Sequence, residues 1–360
     1  EIYTLSLHDA LPIFGRLGLA QTISILLSPF TGTDIPPMEA SVIWEIRLPR
    51  ILLAMAAGAA LASAGVAFQS LFGNPLATPD TLGVSSGASF GAVLALMFGM
   101  NIVGVQIMAL VFGLFSVTLT WSFSRTKKGS SIVMLVLSGI VISALFEALI
   151  SLIKYVADPE QVLPTITYWL MGSLASVNLP NLSIGIPLIA VGVSVILLLR
   201  WRLNILEFGE DEAKSLGINL TAMRLTVVIA STMVTASCVS MCGKVGWVGL
   251  LIPHVSRMLR GSNNKDVVPT CISVGAIFVL LVDTFARSAT EAEIPISILT
   301  AIIGAPFFIS LLRKTGGFVT FSNSCNDIRP VPRKRRETGS VRLPSALQAE
   351  NTAVKSGYTL

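Results

Sequence analysis

Residues 47–87 read RLPRILLAMAAGAALASAGVAFQSLFGNPLATPDTLGVSSG: an arginine pair opens an apolar helix rich in Ala, Gly and Ser, which ends in an Asn-Pro loop and a glycine-rich restart. Repeated small residues let helix backbones approach closely in a bilayer, where packing, not the hydrophobic effect, must hold helices together. A water-soluble core would place larger side chains at these positions. The order of parts is that of a membrane transporter.

Working outward, 53% of the 360 residues are hydrophobic and only 12% charged, and the mean hydropathy of +0.77 excludes an ordinary soluble domain. Crossing a hydrocarbon layer of ~30 Å takes about 20 largely apolar residues as helix. Apolar spans stand at 50–72, 82–99, 102–124, 131–156, 182–199, 223–245, 247–259, 267–287 and 294–312. The predicted fold is therefore all-α, a polytopic transmembrane helical bundle with about nine visible spans. The seventh span is short and holds Pro253 and His254, so it is expected to cross only with help from neighbouring helices.

Cytoplasmic loops carry the excess of Lys and Arg. If the spans alternate, Arg125, Lys127, Lys128, Arg200, Arg202, Lys214, Arg224, Arg257, Arg260, Lys265, Arg313 and Lys314 share one face, and the carboxyl end is predicted to be cytoplasmic. The other face keeps Arg47, Arg50, Lys154, Lys244 and Arg287, each of which asks for a reason.

Nine crossings with that orientation put the start of the first span outside and predict a further crossing upstream, for which residues 17–29 are too short and polar. Residues 1–14, EIYTLSLHDALPIF, have no basic n-region and no cleavage site and read as a non-native leader. Residues 15–46 read as an outer-face segment and 47–316 as the transmembrane domain. Residues 317–360, with Pro330, Pro332 and the basic run from Arg333 to Arg336, read as a disordered, solvated cytoplasmic tail without a function of its own, contact of the basic run with anionic membrane lipid being the alternative.

Four blocks in order carry a resemblance. They are Arg47 to Arg50, Asn74 to Ala77 and Leu82 to Gly87; then Gly209, Glu210, Ala213, Leu216 and Gly217; then Gly249, Leu250, Pro253 and His254; then Asp283, Ala286, Arg287, Glu293, Ile294, Pro295, Gly304, Ala305, Pro306 and Phe308. Over roughly 40–316 the chain resembles the iron-siderophore and cobalamin uptake permeases, the ten-helix membrane subunits of binding-protein-dependent ABC importers. The family's first helix is not recognisable in it. The resemblance implies a permease paired with a second copy of itself in the inner or plasma membrane. It also implies a cytoplasmic ABC ATPase dimer that holds ATP and Mg, and an extracytoplasmic substrate-binding protein. The implied cargo is a ferric siderophore, with haem and cobalamin as alternatives.

Site expectations follow. Arg47, Arg50 and Arg287 are expected to dock carboxylates of the binding protein; the plainer alternatives are snorkelling and, for Arg287, an ion pair with Asp283 one turn earlier. Gly209 to Gly217 is expected to form a surface helix lying in a groove of the ATPase. Ser130 and Ser131 resemble the family's inner gate. Asn74, Pro75, Gly83, Ser85, Gly87, Pro253 and His254 are candidates for the pathway or for structural motifs. Glu147, an acid inside a span with no obvious partner, is a functional candidate by default.

No P-loop is present, so the chain is expected to be no enzyme and to hold no cofactor. Cys238 and Cys242 read as small buried residues, no metal site is expected, and no nucleic-acid partner. The rival reading is an ion-coupled secondary transporter that takes up protons on Glu147 and Asp283 and needs no coupling helix. A nonfunctional gene product is the other.

Overall fold

The computed structural model describes residues 18–32, 35–126, 129–130, 132–175, 177, 179–206, 219–289 and 293–314. Helix α1 spans Leu19–Thr31. Helix α2 runs unbroken over Pro37–Phe72, with a π-helical turn at Val42–Arg47 just before the arginine pair closes. Then follow α3 Val84–Met97, α4 Ile102–Ser124, α5 Ile132–Val156, α6 Val162–Leu170, α7 Leu179–Leu206, α8 Leu220–Cys242, α9 Val248–Arg260, α10 Asn264–Ala289 and α11 Ile296–Lys314. A two-residue antiparallel ladder, Arg125–Thr126 with Gly129–Ser130, joins α4 to α5. The compact body ends at Ser310; of the second unit, Leu311–Leu360, the described residues are the last turn of α11.

Six of these helices are long and apolar enough to cross a membrane, and α3 and the first part of α11 are shorter apolar helices. With the 13 residues of α9, about 20 Å of helix, every expected span is a helix. Several boundaries moved: α2 starts at Pro37, inside the stretch read as an outer-face segment, α7 is longer at both ends than 182–199, α8 ends at Cys242 instead of 245, and α6 occupies a stretch read as loop.

Helices α2 and α8 sit at the centre. Helix α2 packs against α7, α8, α9 and α10, and α8 against α2, α3, α4 and α7. Their small side chains permit contact of backbone on backbone. A Cβ on Gly58 would fall 2.0 Å from the Gly275 carbonyl oxygen of α10, and one on Gly65 would fall 2.0 Å from that of Gly249 in α9. Any larger residue must push a neighbouring helix away.

Helix α2 ends because Gly73 adopts φ +56, closing a cap in which the Asn74 N–H reaches the Gln69 carbonyl at 3.1 Å. The Asn74 side chain then accepts from the Leu76 N–H at 2.9 Å, a local turn. A short 3₁₀ turn, Pro79–Leu82, leads into α3, and Gly139 of α5 comes so close that a Cβ there would lie 1.9 Å from the Thr81 carbonyl oxygen. That contact sits about 10 Å along α5 from its start at Ile132. Helix α3 therefore starts part-way through the bundle. Helix α9 begins in the same manner after the strap 243–247, level with Gly65 of α2. Each central helix is thus followed by a break and a short helix.

Gly58→Val should lower the thermal midpoint of the purified protein by several degrees, an overpacking cost of about 1–3 kcal/mol. Gly246→Ala, whose added methyl meets nothing within 4 Å, should leave it unchanged within error in the same thermal-shift assay.

Candidate functional site

At the end of the bundle where α2 begins, one guanidinium ties three elements together. Arg50 Nε donates to Asp283 Oδ1 at 3.0 Å and Nη2 to the same oxygen at 2.8 Å, while Nη1 and Nη2 each donate to one oxygen of Glu293 at 2.9 Å. The fork geometry of arginine is what lets one side chain serve two carboxylates at once. Asp283 in α10 is 0% exposed, and Arg287 one turn later reaches its Oδ2 at 3.4 Å. Two cations and two anions balance.

This arrangement corrects the reading of Arg50 as a docking residue. Its side chain is only 9% exposed and its donors are committed inside the chain, so it does not offer a bare charge to a partner. Arg287, 33% exposed, takes the intrachain pair with Asp283 that was its plainer alternative and still reaches the surface. Arg47 is half-buried at the end of the π-helical turn.

Glu147 has partners, a lysine and a hydroxyl, that sequence spacing could not identify. Lys244 Nζ donates to its Oε1 at 3.0 Å, and the Ser86 hydroxyl donates to the same oxygen at 3.2 Å. The Lys244 ammonium thus lies against α5. The lysine comes from the strap 243–247, which passes Gly172 so closely that a Cβ there would lie 2.7 Å from the Lys244 carbonyl oxygen; bonds around it tie the end of α8 and the start of α11 to the turn after α6. The Ser173 N–H donates to the Cys242 carbonyl at 3.0 Å, and the Ile296 N–H to the Gly172 carbonyl at 3.1 Å. Trp247 in this strap has φ +68, a conformation that strains a bulky residue, and its ring packs on Gly304 of α11.

The strap faces the Asn74 to Gly83 break across a cleft lined among others by Thr78, Asp80, Ser85, Thr235 and Trp247. The remaining motif residues differ in their surroundings. Gly83 and Gly87 are buried against α4, where the Ser116 hydroxyl donates to the Gly83 carbonyl at 2.7 Å, and Asn74 and Pro75 lie exposed in the turn. Pro253 is buried and His254 half-buried in α9. Cys238 and Cys242 are buried thiols 3.5 Å apart.

The opposite end of the bundle holds a polar cluster that sequence reading missed. Arg257 Nη1 donates to Gln69 Oε1, the Asn264 amide donates to the Ser70 hydroxyl at 3.0 Å, and the Asn264 N–H donates to Asn204 Oδ1 at 2.9 Å. These bonds join α2, α7, α9 and α10. The apolar run around each residue hid them, although a Gln-Ser pair closing an apolar helix was a signal. Ser130 is in the two-residue ladder; Ser131 and the expected coupling block, Gly209, Glu210, Ala213, Leu216 and Gly217, lie outside the described residues. Among the described residues no three metal-ligating side chains come together.

Comparison with known proteins fits this geometry. The FecCD transport family matches residues 13–314, which carries the likeness well upstream of the motif blocks. The molybdate import system permease protein MolB of Haemophilus influenzae is 44% identical over 83% of this chain and 88% of its own length. A probable iron chelatin transport system permease protein of Helicobacter pylori is 38% identical over 77% and 83%. The vitamin B12 import system permease protein BtuC of Klebsiella pneumoniae is 35% identical over 85% and 94%. A solved structure described as an inward-facing metal-chelate type ABC transporter is 45% identical, covers 78% of this chain and 90% of that one, and superposes with a TM-score of 0.75.

Arg50→Met should destabilise the protein by about 3–5 kcal/mol, because it leaves Asp283 buried and uncompensated. In thermal unfolding Arg287→Met should cost clearly less, and adding Asp283→Asn to Arg50→Met should recover part of the loss.

Proposed function

The chain is an ABC importer permease of the FecCD transport family, a multi-pass plasma-membrane protein that works with an ATPase and a binding protein, and from that premise we propose that it carries a ferric siderophore inward. The observation that carries the reading is the match over 13–314, with a relative named for iron chelatin among the similar permeases. A second reading, molybdate as cargo, is favoured by the 44% identical relative named for it. The two differ in size but share a metal held among oxygen atoms.

The proposed assembly is a homodimer with the cargo path between the copies and the carboxyl end in the cytoplasm. The Arg47 end of the bundle then faces outward, where Arg47 and Arg287 meet carboxylates of the binding protein. Arg50 holds the ends of α2 and α10 and the segment before α11 in place beneath them. The block from Gly209 to Gly217 is the coupling helix, with Leu216 seated in a groove of the ATPase. Ser130 and Ser131 close the inner end of the path.

The test is ATP-dependent uptake into vesicles by the permease co-expressed with its genomic neighbours, with labelled ferric siderophore and labelled molybdate offered separately. Uptake of one cargo that requires ATP, and that falls about tenfold or more in Leu216→Glu as a buried apolar contact is replaced by a charge, is the expected outcome. Uptake driven by a proton gradient with no need of ATP would refute it.

A further inference from the structure

The Lys244–Glu147 pair stands where a membrane protein does not leave charges idle. Glu147 lies 15 residues after the start of α5 and 9 before its end, about 22 Å and 14 Å along the axis, well inside a span with mean hydropathy 2.5. Yet the Glu147 and Lys244 side chains are 56% and 40% exposed. Either they face hydrocarbon, or they face water.

Hydrocarbon is the costly choice, at about 2.5–3.5 kcal/mol for a charged group near the middle of a span. Three further observations favour water. Along the same face of α5, at intervals of one turn, stand Ser143, Glu147 and Ser151, a polar stripe on a largely apolar helix. Lys244 belongs to a non-helical strap placed at the depth of the α2–α9 contact, and exposed irregular backbone is tolerated there only beside protein or a water-filled cavity. The strap also borders the part-polar cleft beside Thr78, Asp80, Ser85 and Thr235, which has room for about one water and is too small for a metal chelate. Cargo would pass along the exposed face.

We infer that Lys244 is a cargo-contacting residue on the path, its ammonium meeting the oxygen atoms of a negatively charged, metal-bearing cargo while Glu147 serves as its resident counter-ion. This rests on the importer reading above and narrows its cargo to anions. An ammonium has three N–H donors, and Glu147 takes one, which leaves donors for a passing anion. Glu147 competes with the cargo for the same charge, so contact is favourable enough to guide an anion and too weak to trap it, as conduction requires. Gly172 in the turn after α6 lies so close that a Cβ there would fall 2.7 Å from the Lys244 carbonyl oxygen, and the Trp247 ring packs on Gly304 of α11, so packing on both sides gives the lysine a rigid mount for such a contact.

Two measurements on the full complex test the assignment. In the first, Lys244→Cys is treated with an impermeant anionic thiol reagent and, separately, with a lipid-soluble maleimide. Labelling by the anionic reagent is expected; labelling by the maleimide alone, or by neither, would overturn the inference. In the second, vesicle uptake is compared for molybdate, a net-negative ferric siderophore and a net-positive one. Lys244→Gln should slow the negative cargo that the wild type carries by about tenfold, the worth of one charge-assisted hydrogen bond, with Lys244→Arg restoring most of the rate. Unchanged uptake in Lys244→Gln, an equal loss for the positive cargo, or equal loss in Lys244→Arg would each sink the anion contact. A wild type that takes up nothing with ATP refutes the importer reading instead, and the labelling still decides whether Lys244 faces water.

Discussion

The bundle depends on how closely other helices can approach α2. In lipid the apolar side chains gain nothing by leaving one apolar surroundings for another, so helices associate through close packing and interhelical bonds. Gly58 against Gly275 and Gly65 against Gly249 bring α10 and α9 into backbone contact with α2, and the run of Ala between them keeps the intervening surface flat. Leucines here would hold the helices apart and dissolve the centre.

With the centre so tightly closed, the buried charges stand where partners meet them. Arg50 gathers Asp283 and Glu293 at one end of α2, and the Gln69, Arg257, Ser70, Asn264 and Asn204 bonds gather four helices at the other. Between these two pinned ends the helices are apolar, and the departure is Glu147 with Lys244. A buried ion pair is weak evidence for stability, since burial costs much of what attraction returns. What the Arg50 group supplies is position: it sets the ends of α2 and α10 and the segment before α11, on which any surface for a binding protein would stand.

The two breaks extend the same logic. Each central helix stops inside the bundle, turns through glycine and a short irregular stretch, and restarts as a helix too short to cross alone. Irregular backbone at that depth needs protein or water beside it. The two stretches face each other across the cleft, and the outward side of one of them carries Lys244.

Sequence alone determined the class of the molecule and most of its helices, because span length and hydropathy answer to bilayer thickness and need no knowledge of neighbours. It showed the arginines at one end and an acid within α5 as anomalies, since charge in an apolar run stands out wherever the chain folds. Only the tertiary structure decided what those anomalies do. Arg50 and Asp283 are 233 residues apart, and Lys244 and Glu147 are 97 apart. No spacing rule relates such positions; the pairs form because packing around small residues brings particular turns of distant helices level. Thus Arg50 turned from a surface charge into an internal tie, and Glu147 from an unpartnered acid into the counter-ion of a lysine on a strap that sequence had read as the end of the 223–245 span.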